Sequence, residues 1–258
     1  MQIKIRFLGT GTSQGVPVIA CRCDACRSTD EHDKRLRASA LVEVNGKNIL
    51  IDAGPDFRQQ LLRENISNID AILITHEHKD HIGGLDDVRA INYVTGEGID
   101  IYAEDRVLDA IKSDFAYAFA DVRYPGVPQM NLHEITGETF TVSNNKIKII
   151  PIRVMHMYLP VYGFRIGNFS YITDANYIAD SELEKLKGTK ILVLNALRHE
   201  EHISHFSLSE ALEMAAKINA ERTYLTHISH QMGCYAEQEP LLPPNIHFAY
   251  DGLTIEDF

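Results

Sequence analysis

Ile72-Leu73-Ile74-Thr75-His76-Glu77-His78-Lys79-Asp80-His81-Ile82-Gly83-Gly84 decides how this chain is read. An apolar run ends at Ile74, and four side chains able to bind a metal, His76, His78, Asp80 and His81, follow within six residues. Imidazole and carboxylate suit zinc, manganese or iron, and a loop leaving a strand lets closely spaced side chains converge. One histidine in a polar loop would carry no weight. Four ligand types between an apolar strand and a Gly-Gly turn predict a metal site at a strand end.

Working outward, the runs Ile3–Leu8, Ala40–Val44, Ile49–Asp52 and Ile69–Thr75 read as strands, with Asn45-Gly46 as a hairpin turn. A helix is expected over Asp56–Glu64 with Asp56 as its cap, and a shorter one near Leu85–Asn92 after Gly83-Gly84. Residues 105–135 hold a helical stretch with Phe115, Tyr117 and Phe119, then a loop containing Tyr124-Pro125-Gly126-Val127-Pro128. Strands are expected again at Lys146–Pro151, Tyr162–Ile166, Ser170–Thr173, Lys190–Leu194, Arg222–Thr226 and Ile246–Phe248. Helices fit Ser181–Lys187 and Ser207–Asn219, the latter capped by Ser207. Early strands followed by strands mixed with helices suggest two packed sheets with helices outside. No repeat, low-complexity segment or linker divides the chain, so residues 1–258 read as one domain.

The composition fits an ordinary globular protein, with 45% hydrophobic and 24% charged residues. A net charge of −11 and the lack of a Lys/Arg block favour a small substrate over RNA or DNA, whose phosphates are usually gripped by a basic surface. No apolar run is long enough to cross a bilayer, and Met1 to Phe7 alternates like a strand rather than a signal peptide, so a cytoplasmic location is expected. Three of the four cysteines crowd into Cys21-Arg22-Cys23-Asp24-Ala25-Cys26, with Cys234 far away. In an intracellular chain that cluster suggests a metal site rather than a disulfide framework, and Cys21 and Cys23 are too close for a relaxed disulfide.

The pattern His76-x-His78-x-Asp80-His81 resembles the signature of the metallo-β-lactamase superfamily. That resemblance implies an α/β fold, a four-layer αββα sandwich with two metals at one edge of the paired sheets. It assigns His156, in Val154-Met155-His156-Met157, to the first metal beside His76 and His78. It assigns His227, in Leu225-Thr226-His227-Ile228-Ser229-His230, to the second metal beside Asp80 and His81. Asp174, in Tyr171-Ile172-Thr173-Asp174-Ala175, matches the carboxylate that bridges both. Asp52, in Leu50-Ile51-Asp52-Ala53-Gly54, matches an acid that orients the ligands and tunes their basicity.

The segment from Leu8-Gly9-Thr10-Gly11-Thr12-Ser13-Gln14-Gly15-Val16-Pro17 into Cys21-x-Cys23-x-x-Cys26, together with Thr226-His227-Ile228-Ser229-His230-Gln231, resembles the PhnP group of phosphoribosyl cyclic phosphodiesterases. The likeness implies a homodimer and a separate structural zinc on Cys21, Cys23, Cys26 and His230. Three thiolates in six residues can take three corners of a tetrahedron, and Cys234 competes for the fourth. His205, in Ile203-Ser204-His205-Phe206-Ser207, matches a histidine near the phosphate that can donate a proton, with His199 and His202 as nearby rivals. The aromatic-rich stretch between Gly84 and His156 is longer than in the phosphonate enzyme. Residues near 105–135 are a candidate lid or dimer contact, or plain core for at least two of Phe115, Tyr117, Phe119 and Tyr124.

The expected activity is therefore that of a dinuclear zinc or manganese phosphodiesterase acting on a small cyclic phosphodiester, such as phosphoribosyl 1,2-cyclic phosphate or a cyclic nucleotide. Asp80 and Asp174 hold metals that bring the pKa of water near neutrality, and His205 protonates the leaving oxygen. A thioester or lactam hydrolase and a transfer-RNA 3′-end nuclease are the rivals on the same ligand set. Redox di-iron relatives carry Glu where this chain has His78, which disfavours that chemistry.

Overall fold

The computed structural model describes residues 2–143 and 147–256. The first sheet begins with β1 (Ile3–Gly9), β2 (Ser39–Val44), β3 (Lys47–Ile51), β4 (Ala71–Leu73), β5 (Ile99–Ala103) and β6 (Met130–Glu134). The second contains β7 (Phe140–Val142), β8 (Ile147–His156), β9 (Leu159–Ile166), β10 (Phe169–Ile172), β11 (Tyr177–Ile178), β12 (Ile191–Asn195), β13 (Arg222–Thr226) and β14 (Ile246–Phe248). The last strand, β15 (Thr254–Ile255), returns to pair with β1. Strand order is β15-β1-β2-β3-β4-β5-β6 in one sheet and β11-β8-β9-β10-β12-β13-β14 in the other, with β7 on β8.

Side-chain alternation separates the layers. Ile49 and Ile51 of β3 join Ile191 and Val193 of β12 in the core between the sheets. Leu50 and Ile72 face the opposite way, against helices Phe57–Arg63 and Asp105–Asp114. Leu192 and Leu194 likewise pack under helices Asp180–Leu186 and Leu208–Ile218. Strands covered on both faces need apolar residues at every position, which explains the unbroken Ile191-Leu192-Val193-Leu194 run. The result is the expected αββα sandwich.

Asn45 and Gly46 both adopt positive φ, 52° and 74°, in the tight turn between β2 and β3. The twist of such a turn matches that of the flanking strands. Ser207 caps its helix as expected: its hydroxyl accepts from the Glu210 amide, while the Glu210 carboxylate accepts from the Ser207 amide.

Asp56 departs from its expected role. Its side chain makes no cap hydrogen bond and instead receives the amide and guanidinium of Arg37 at 2.8 and 3.0 Å. A fixed cation and a second amide outcompete the helix's own N–H groups. The strand expected from Lys146 begins at Ile147, and Lys146 itself lies outside the described residues.

Residues 105–135 form helices Asp105–Asp114 and Ala116–Phe119 and then β6, which runs parallel to β5. Phe115 is buried and Phe119 packs against the same helix-facing core, whereas Tyr117 and Tyr124 are exposed. Neither β5 nor β6 is among the expected strands: β6 carries too many polar residues to stand out as a strand, whereas β5 alternates over only five residues.

Candidate metal centre

Every expected ligand of the main cluster sits at or just beyond a strand end on one edge of the sandwich. His156 ends β8, Asp174 follows β10, His227 follows β13, and His76 to His81 follow β4. Asp52, Asp174 and His227 all adopt left-handed backbone conformations, with φ of 61°, 53° and 58°. Non-glycine residues are rarely held there, at a cost of about 1–3 kcal/mol each, and such strain clusters at functional sites. The β10–β12–β13 ladder pairs Ile172 with Leu194 and Asn195 with Thr226, so Asp174 and His227 leave the sheet side by side.

Two groups of ligand atoms result: His76, His78 and His156, and Asp80, His81, Asp174 and His227, each within 4.8 Å of one another. His76 Nε2 faces His78 Nδ1 at 2.9 Å. The Asp174 oxygens divide between the groups. Oδ1 lies 3.4 Å from His81 Nε2 and 3.3 Å from His227 Nε2, while Oδ2 lies 3.8 Å from His76 Nε2. Asp80 Oδ2 is 3.1 Å from His81 Nε2. Tetrahedral zinc with bonds of about 2.0–2.1 Å spaces its ligand atoms about 3.3 Å apart, and the ligand atoms here lie 2.9 to 3.8 Å apart.

Asp52 fixes which nitrogens point inward. Its Oδ2 accepts from His81 Nδ1 at 2.7 Å and from the Thr75 hydroxyl at 2.9 Å. Thr75, committed as donor to Asp52, accepts from His76 Nδ1 at 3.0 Å. His156 Nδ1 donates to the Ser204 carbonyl at 2.8 Å. Protonation of these Nδ1 atoms leaves each Nε2 lone pair for an ion. His81 Nε2 and both ring nitrogens of His227 are buried with no hydrogen-bond partner among the described residues. Buried nitrogens without partners are costly unless something else engages them, so the site fits divalent metal.

The imidazoles and carboxylates of the site set one another's charge: burial works against a charged His81 ring, but the Asp174, Asp80 and Asp52 carboxylates outweigh it and hold that ring well above its ordinary range. Burial pushes the His76 imidazolium well down, keeping the ring neutral and able to ligate. Burial also works against ionised Asp174, but His227 and His81 outweigh it and hold the carboxyl well below its ordinary range.

The ligand loop is locked to the strand beside it. Ala53 N donates to His81 O at 2.8 Å, and Gly84 N donates to Ala53 O at 2.9 Å. A Cβ on Gly54 would meet Asp80 O at 2.0 Å, so a side chain there would push the ligand loop away.

His205 is buried with Nε2 3.1 Å from Asp174 Oδ2, and its ring stacks on His227 at 4.9 Å. It also forms a convergent set with His156 and Asp174. Of its rivals, His202 sits behind it with Nδ1 3.2 Å from His205 Nδ1, and His199 turns away to the Met232 carbonyl.

Cys21, Cys23, Cys26 and His230 form a separate group within 4.8 Å. The Sγ atoms of Cys21 and Cys23 each lie 3.3 Å from His230 Nδ1, close to the roughly 3.5 Å between sulfur and nitrogen around one zinc. Cys234 stands outside this group, at the N-cap of helix Tyr235–Gln238. Burial pushes the Cys26 thiol up to about 11, so losing its proton there needs a cation.

Thr75 and Asn195 escaped sequence reasoning. Asn195 ends β12 and clamps the residue after Asp174, accepting from Ala175 N at 2.8 Å and donating to Ala175 O at 2.9 Å. A lone Asn closing the apolar run Ile191–Leu194 was the available signal.

A model of the beta-lactamase superfamily domain matches residues 47–228. An octanoyltransferase of Porphyromonas gingivalis is 44% identical over 250 residues, which is 96% of this chain and 50% of that protein. A ribonuclease Z of Prochlorococcus marinus is 33% identical over 175 residues, 64% of this chain and 49% of that protein. The chain thus spans about half the length of these curated relatives. A crystal structure described as a new diphosphatase from the PhnP family superposes with a TM-score of 0.91 at 42% identity, covering 99% of this chain and 98% of that one. With the metallo-β-lactamase architecture and the paired ligand groups in place, these likenesses establish that the chain belongs to the beta-lactamase superfamily, close to the PhnP family.

Proposed function

We propose that the chain is a metal-dependent hydrolase that cleaves a P–O bond of a small phosphorus substrate: a phosphodiester, cyclic ones included, or the phosphoanhydride link of a diphosphate. The observation that carries this reading is Asp174, whose two oxygens face two different imidazole groups. His76, His78 and His156 would hold one divalent ion, Asp80, His81 and His227 the other, and Asp174 both. Zinc or manganese bound there supplies Lewis acidity and lowers the pKa of water toward neutrality.

The protein's own groups do the rest. Asp52 and Thr75 hold the His76 and His81 rings in the ligating tautomer. His205, with Nε2 beside Asp174, is placed to protonate the leaving oxygen. Cys21, Cys23, Cys26 and His230 would hold a zinc that ties the amino-terminal loop to the segment after His227. A homodimer and a cytoplasmic setting belong to the same proposal, the latter supported by four unpaired cysteines. Among the described residues no helix is long and apolar enough to cross a membrane.

The likeness to the diphosphatase of the PhnP family supports phosphorus chemistry. The relatives named ribonuclease Z keep precursor transfer RNA as a second reading, against which the charge of −11 counts. The deciding experiment is a hydrolysis panel on manganese and zinc forms. It includes bis(p-nitrophenyl) phosphate, ribose 1,2-cyclic phosphate, 2′,3′-cyclic nucleotides, a nucleoside diphosphate, precursor transfer RNA, a β-lactam and an octanoyl thioester. Metal-dependent turnover of a small phosphodiester or diphosphate is expected. Thioester or lactam turnover with every small phosphorus substrate inert would overturn the reading.

A further inference from the structure

The mouth of the metal centre is not polar on all sides. A recess of about 470 Å³ opens beside His78 and His156, and its other walls are Met157, Tyr158, Leu159 and Ser204. Tyr158 and Met157, at the tip of the β8–β9 hairpin, are 84% and 41% exposed, and Ile203 on the facing loop is 71% exposed. Scattered exposed apolar residues are ordinary, but here Met157, Tyr158 and Leu159 line one recess beside two candidate ligands, a grouping that marks a place for a ligand to cover.

These tips are held in place. Asn176 Oδ1 accepts from Met157 N at 2.9 Å, and Asn176 Nδ2 donates to Ile203 O at 3.1 Å. One amide side chain therefore couples the hairpin tip to the opposite loop. The ligand His156 ties the same two segments through the Ser204 carbonyl. Met157 itself is held in a left-handed conformation, φ 58°.

We infer that this rim binds a flat aromatic group on the substrate, a nucleobase, so that the phosphorus ester cleaved here is a nucleotide. The inference rests on the phosphorus-ester reading above and adds its substrate class. A phenol ring and a thioether offer a stacking face that tolerates any base. The shelf is open rather than tunnel-like, so an octanoyl chain laid on it would keep most methylenes in water, whereas a planar ring covers one whole face by stacking. The acidic chain disfavours a long polymer but not a single nucleotide.

Isothermal titration calorimetry of the metal-loaded full chain with AMP and with ribose 5-phosphate tests this without turnover. AMP should bind about tenfold or more tightly than ribose 5-phosphate, the usual size of one base–aromatic stack. Tyr158→Ala should erase most of that preference and leave ribose 5-phosphate unchanged, while Tyr158→Phe keeps it. Equal affinities in the wild type, equal weakening of both ligands by Tyr158→Ala, or no measurable binding of either would overturn the inference. So would competition by an octanoyl thioester that is lost in Tyr158→Ala. If these results go against the nucleobase while base-free phosphodiesters are still hydrolysed, only the shelf assignment fails. An AMP preference in a protein that hydrolyses no phosphorus ester would instead leave the shelf standing and remove the proposed reaction.

Discussion

Asp174 turns one oxygen toward each group of imidazoles, at 3.3–3.4 Å on one side and 3.8 Å on the other. Replacing it with Ala should remove bound metal as well as rate. Asp174→Ala is expected to fall to background turnover with less than the wild-type metal content by elemental analysis. Retention of both would break the proposed scheme. His205 offers a sharper distinction, because a proton donor and a ligand fail differently. His205→Gln should lower kcat about a hundredfold to ten-thousandfold, the range for losing a general acid, with metal content unchanged. Metal loss in that variant would make His205 a ligand, in line with its convergence on His156 and Asp174.

At the scale of elements, the ligand loop after β4 depends on how closely it lies against the end of β3. A methyl group at Gly54 would meet the Asp80 carbonyl at 2.0 Å, and a backbone carbonyl cannot swing aside as the end of a flexible side chain can. Gly54→Ala should therefore weaken metal binding and lower the melting temperature together, even though residue 54 ligates nothing. The cap of helix Leu208–Ile218 is a simpler case. Ser207→Ala removes the cap hydrogen bond, one half of the reciprocal pair with Glu210, costing about 1 kcal/mol. In a chain this long that corresponds to a fall of about 2–4 °C in Tm by calorimetry. Helix Phe57–Arg63 should respond differently to Asp56→Ala: the loss would come from the Arg37 contacts, not from a missing cap.

At the scale of the whole molecule, the thiol group joins distant stretches of chain. Cys21 and Cys23 precede β2, whereas His230 follows β13, and Thr12 N donates to Ile228 O nearby. Cys23→Ser should lower zinc content by about one ion per chain and reduce thermal stability, since metal that binds only the folded state adds to its stability. Manganese or zinc at the main centre should remain, which differential metal analysis against Asp174→Ala would separate.

The His76-to-His81 run, the three clustered cysteines and the alternating or unbroken apolar strands were legible from sequence alone, because ligand spacing and side-chain periodicity are local properties. With them came the expectation of two packed sheets, whereas His156, Asp174 and His227 entered only through the family resemblance that the His76-to-His81 run carries. Asp56 shows where local reasoning stops: a good cap residue was claimed by Arg37, nineteen positions away in sequence but adjacent in space. Asn195 and Thr75 were missed for the same reason: a lone Asn at a strand end singles out a position but not its partner, so neither the clamp on the turn after Asp174 nor the relay from Asp52 to His76 is visible locally. Strand order brings β4, β8, β10 and β13 to one edge, and only that order sets His76 and His156 beside Asp174 and His227 in two adjoining ligand groups. The left-handed turns at Asp52, Asp174 and His227 also belong to the tertiary structure, because no single residue would adopt them unless the packed sheets around it met the cost.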